Sequence, residues 1–84
     1  MLIVSRKEWL CSKAGIADYK ERTVVCRNQE ALLSALRGFR LRPGQAPTDP
    51  ALILGLFDLS QPQWPVVLIN SDGRSESVSI QTLH

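Results

Sequence analysis

Eighty-four residues suffice for one small domain with a single hydrophobic core and little more. A hydrophobic fraction of 44% and a charged fraction of 21% exclude a disordered chain, and no apolar run approaches the roughly 18 residues of a membrane span. The net charge of +2 hides an asymmetry: residues 1–42 hold nine of the ten basic side chains against four acids (+5), while residues 43–84 hold Arg74 against four acids (−3). Such a split predicts a basic face for an acidic partner or nucleic acid, or neutralisation within the fold where the halves interleave.

Leu2-Ile3-Val4 is a short β-prone run that predicts a terminal strand. Its apolar stretch turns basic within a few residues, the wrong order for a signal peptide, so the expected location is cytoplasmic. There Cys11 and Cys26, widely spaced and without a C-x-x-C, are expected to remain reduced. Ser5-Arg6-Lys7-Glu8 matches a capping box, in which the Ser5 hydroxyl accepts from the Glu8 backbone N–H and the Glu8 carboxylate accepts from that of Ser5. A short N-terminal helix over 6–13 is expected to follow, stopped at Gly15 and carrying Trp9 as a core or rim anchor.

Residues 16–21 are expected to form a polar connection, and Arg22-Thr23-Val24-Val25-Cys26 has strand composition. Asn28 is a good N-cap, Glu30 suits the positive end of a helix dipole, and Leu32, Leu33 and Leu36 fall at helical spacing. A helix over 29–37, ended by Gly38, is predicted. Phe39-Arg40-Leu41-Arg42 alternates apolar and basic side chains, as an extended segment with one wet face does, and Pro43, Gly44, Pro47 and Pro50 mark a loop. Residues 51–59 form an apolar run too short to assign by period. Gly55 suits a bulged strand over 52–58, whereas Asp49-Pro50 suits the N-cap and first residue of a helix; the strand is the favoured expectation.

Asn70-Ser71-Asp72-Gly73-Arg74 is a strong hairpin signal. A type I turn with Gly73 in the left-handed conformation pairs Asn70 with Arg74, and so Leu68 with Glu76, Val66 with Val78 and Trp64 with Ile80. A two-residue Asp72-Gly73 loop would shift the register by one and reverse the faces. The expected architecture is a small single α+β domain over 1–84: an antiparallel β-meander with one main helix packed on one face and a short N-terminal helix.

Nucleophilic catalysis needs a base within reach of the nucleophile, and the one imidazole is His84, the last residue. No phosphate loop, dinucleotide fingerprint or H-E-x-x-H occurs. No catalytic residue, metal, cofactor or small-molecule substrate is therefore expected. The leading expectation is a non-enzymatic protein-binding module, acting as a stoichiometric regulator, inhibitor or adaptor, with another protein or a second copy (a homodimer) as partner. Its interface is expected at Val67, Ile69 and Trp9. In the assumed register Val67 and Ile69 point away from the helix with only serines opposite, unless the 6–13 helix covers them. Leaving two such aliphatics exposed forgoes about 1.5–3 kcal/mol each. The alternative is a nucleic-acid-binding regulator using Arg37, Arg40 and Arg42 for phosphate contacts and Phe39 for stacking.

Overall fold

The hairpin at residues 66–82 takes the expected register. Strand β3 (Val66–Ile69) pairs with β4 (Ser75–Thr82) so that Val66 faces Val78 and Leu68 faces Glu76. The Asn70 carbonyl accepts from Gly73 N at 3.0 Å, the Asn70 N–H donates to Arg74 O at 2.9 Å, and Gly73 sits at φ +79. This is the type I turn with a glycine bulge. The computed structural model describes residues 1–11, 17–60 and 65–82, with the backbone alone for Leu10, Cys11 and Ala17. Expectations for Gly15, Trp64 and His84 lie outside the described residues.

The N-terminal expectation is corrected. The helix expected over 6–13 is absent from its described part, residues 6–11; Leu2–Cys11 is one long strand, β1, and Ala17–Cys26 is its antiparallel partner β2. The polar connection expected at 16–21 is therefore largely strand. β1 also pairs with β4, Val4 opposite Ile80 and Arg6 opposite Val78, which gives a four-stranded antiparallel sheet in the order β2-β1-β4-β3. The Ser5–Glu8 capping pattern was outweighed by ladders on both sides of β1 and by ion pairs that use Arg6 and Glu8 on the covered face.

Helix α1 (Gln29–Ala35) starts where expected, with Asn28 Oδ1 accepting from Ala31 N at 2.8 Å, and Gly38 at φ +91 turns the chain after it. Residues 52–58 are not a strand. Pro50–Leu54 forms the short helix α2, with Asp49 Oδ1 accepting from Ala51 N at 2.9 Å and Pro50 in the first turn. The cap outweighs the β-prone composition because the helix turns Ile53 inward and the turn after it brings Phe57 to the same core, against Leu32, Leu36 and Phe39. These five side chains pack with Val4, Cys26, Leu68, Val78 and Ile80 into one core. The smallest extent of the molecule, 19 Å, matches one sheet and one helix layer at about 10 Å spacing.

Two outcomes test this arrangement. Ile53→Ala should cost about 2–5 kcal/mol in denaturant unfolding through the cavity it opens, while Leu52→Ser, at a position 67% exposed, should stay within about 0.5 kcal/mol; equal costs would contradict the helix. Register also sets Cys11 opposite Ala17 and Cys26 opposite Leu2, at opposite ends of the β1–β2 ribbon. At about 3.3 Å per residue they stand roughly 30 Å apart, far beyond disulfide reach. Thiol titration of denatured, non-reduced protein should find both free, and an intramolecular bridge would overturn the register.

Candidate functional site: the uncovered face of the sheet

Alternation along the strands sorts the sheet into two faces. Val4, Arg6 and Glu8 of β1, Cys26 of β2, Glu76, Val78 and Ile80 of β4 and Leu68 of β3 share the face against the helices. The other face holds Ile3, Ser5, Lys7 and Trp9; Tyr19, Glu21, Thr23 and Val25; Ser75, Ser77, Ser79 and Gln81; and Val67 and Ile69 by register. Both helices contribute to the single core on the first face. The segment expected to cover the second face is β1, which widens that face instead.

Trp9 and Val67, two of the residues expected at an interface, lie on this uncovered face and are 53% and 61% exposed. Ile69 does not join them. It is 7% exposed, because the chain leaving α1 runs along the outer edge of β3, where Ile69 and Arg40 exchange both backbone hydrogen bonds at 2.8 Å. Two residues missed in the sequence complete the patch. Tyr19 faces Trp9 across the ribbon, with ring centroids 5.6 Å apart and tilted by 59°, and Lys7 Nζ lies 4.4 Å from the Tyr19 ring centre. Their signal was the alternation Tyr19-Glu21-Thr23-Val25, legible once β2 is extended back to Ala17. An open depression lies between Ser5, Lys7, Trp9, Glu21, Ser77 and Ser79.

The basic segment is organised differently from the expectation. Phe39 is buried, with the Arg6 guanidinium 4.7 Å from its ring centre, so it presents no stacking surface. The Arg40 side chain donates to the carbonyls of Gln45 at 2.7 Å, Gly38 at 3.1 Å and Asn70 at 3.4 Å. Arg37 and Arg42 are exposed. Among the described residues no group of three or more His, Cys, Asp or Glu is placed to share a metal ion, and no helix is long and apolar enough to cross a membrane.

The charged end of the covered face lies on the side of the sheet opposite the patch. Arg6 Nε and Nη2 donate to the two oxygens of Glu76 at 2.7 and 2.8 Å, and Asn70 Nδ2 donates to Glu76 Oε2 at 2.7 Å. Burial alone would raise the Glu76 carboxyl, but the hydrogen bonds from Arg6 and Asn70 and the charges of Arg6 and Arg22 outweigh it and hold the group below the usual carboxylate range. The Glu76 hydrogen bond holds the Arg6 guanidinium above its ordinary value. Glu8, directly opposite Glu76, is buried with Arg74 Nη1 3.6 Å from its Oε1, too long for a hydrogen bond.

Comparison with known proteins gave no matching family model, no matching curated protein and no matching solved structure.

The depressed Glu76 carboxyl makes a signed prediction. Because the unfolded chain binds this proton more readily, the stabilisation is complete above the ordinary carboxylate value of about 4.3 and is lost as pH falls through the lower folded value. Wild type should therefore exceed Glu76→Gln in stability at neutral pH, with the gap narrowing below about pH 4 in urea titrations. Asp58, lowered by the Ser60 hydroxyl and backbone N–H, is common to both proteins and cancels. A gap that stayed constant from neutral to acid pH would remove Glu76 from this role.

Proposed function

We propose that the chain is a non-enzymatic protein-binding module, a stoichiometric regulator, inhibitor or adaptor, whose binding surface is the uncovered face of the sheet. The observation that carries this reading is the placement of Trp9, Tyr19, Val25 and Val67, each about half exposed or more, on the one face that no helix covers among the described residues. Aromatics at one end supply large contact area at low entropic cost, and the serine row of β4 allows close approach. The face carries Lys7 and Glu21 as its only charges among the described residues, and these offset each other. A polyanion needs a positive field, so this surface suits a protein better than a nucleic acid. An open face of this kind offers shape and apolar area rather than reacting groups.

The test compares two immobilised proteins, wild type and Trp9→Ala/Val67→Ser, in nuclease-treated extract of the source cells, with the fold of each checked by circular dichroism. A partner retained by wild type should be lost by the variant, because removal of an aromatic anchor costs about 2 kcal/mol or more, roughly thirtyfold in affinity. Identical retention by both folded proteins would overturn the reading.

A further inference from the structure

We propose that β2 is the site of a symmetric edge-to-edge dimer, in which β2 of a second copy pairs antiparallel with it about a two-fold axis at Thr23. This concerns the edge of the sheet and stands apart from the binding role of its face.

The backbone groups that point outward from β2 follow from the hairpin. In an antiparallel sheet a residue directs its N–H and C=O to the same side, and successive residues alternate sides. Asn70 bonds inward to Arg74, so the even residues of β3 face β4; Ile69 accordingly bonds outward to Arg40. The residues of β4 opposite even β3 positions are Glu76 and Val78, which leaves the odd residues of β4 facing β1. Their partners on β1 are Ile3, Ser5 and Lys7, so the even residues of β1 bond to the even residues of β2. Tyr19, Glu21, Thr23 and Val25 therefore present their N–H and C=O groups to the open edge.

The two edges of the sheet are not equivalent. At β3 the Arg40 crossing occupies Ile69, whereas among the described residues no segment pairs with the outer side of β2. β2 is ten residues long, contains no proline, and keeps an unbroken register with β1, so no bulge blunts it. A long open edge is a template for another strand, and the charges of Asp18, Lys20, Glu21 and Arg22 guard it against any partner that does not match their order.

Charge selects both the partner and the register. A second copy must place an odd residue opposite an odd residue, which puts the two-fold axis at a residue. Centring on Lys20, Glu21 or Arg22 sets that charge against its own copy, which is unfavourable. Centring on Tyr19 or Val24 leaves only about half of the strand paired. Centring on Thr23 pairs Lys20 to Cys26 with no like charges directly opposite: Thr23 meets Thr23, Glu21 meets Val25 and Arg22 meets Val24. An axis perpendicular to the sheet keeps the helices of both copies on one side, so the two uncovered faces join into one eight-stranded surface.

The experiment is sedimentation of the full chain from micromolar to near-millimolar concentration, paired with amide exchange by NMR. Wild type should dimerise with concentration, and the Glu21, Thr23 and Val25 amides should gain protection in step. Thr23→Pro removes an outward N–H that the monomer does not use and should abolish the dimer with the monomer fold intact. If that variant does not fold, Thr23→Lys keeps the backbone, sets like charges on the axis, and should weaken the dimer by about tenfold or more, with recovery at high salt. Val67→Ser should leave association unchanged, which separates this proposal from the face-binding reading. A wild type monomeric throughout, a dimer indifferent to both Thr23 variants, or a dimer in which those amides exchange freely would overturn it.

Discussion

The bidentate pair between Arg6 and Glu76 joins the first and last strands of the chain, and most of the polar architecture is arranged around it. Glu76 also accepts from Asn70, which in turn accepts on Oδ1 from the N–H groups of Asp72 and Arg74, both at 3.0 Å. One amide side chain thus holds the hairpin turn and anchors the ion pair. On its other side the Arg6 guanidinium lies over Phe39, which ties the chain leaving α1 to the same point. The Glu76 carboxylate is buried with hydrogen bonds to both oxygens, which offset its desolvation. Removing one member leaves the others buried without partners, and cost of about 3–5 kcal/mol is typical of such breaks.

That network explains which parts of the fold were legible. Local rules sufficed wherever the deciding partner was near in sequence: the hairpin register from Asn70 to Gly73, the Asn28 cap, and the Gly38 stop. They failed where it was distant. Arg6 and Glu8 lie on the covered face of a strand because Glu76 and Arg74 meet them from the far end of the chain, and without those partners the same residues resemble the solvated first turn of a helix. At residues 50–54 both answers were visible, and the cap at Asp49-Pro50 mattered more than the β-prone composition. Of the uncovered face, Trp9 and Val67 could be read from the pattern. Tyr19 and Lys7 required the correct length of β1 and β2, and the burial of Ile69 required the path of Arg40, set by an edge contact that no periodicity encodes.

The charge asymmetry of the two halves also resolves in the fold. Arg6, from the basic half, neutralises Glu76 of the acidic half, and Arg22 adds to the field at the same carboxylate. The uncovered face is left nearly neutral and the β2 edge alternately charged, while Arg37 and Arg42 stay exposed elsewhere. Apolar area dominates the face and Lys20-Glu21-Arg22 dominates the edge, so the two surfaces differ in their physics.

The pairing of β1 with β4 sets the order in which this protein can assemble. β1 and β2 are adjacent in sequence and close a hairpin on the microsecond scale, but the other side of β1 waits for a strand whose contacts lie about 70 residues away. Loop closure over that length is slow and contributes little until the core forms. On a ribosome, the nascent β1–β2 hairpin therefore emerges with the N–H and C=O groups of Ile3, Ser5 and Lys7 unpaired until β4 has been synthesised and released. Because α1 packs on both β1 and β2, its early collapse can cover the Val4 and Cys26 side chains before β4 arrives.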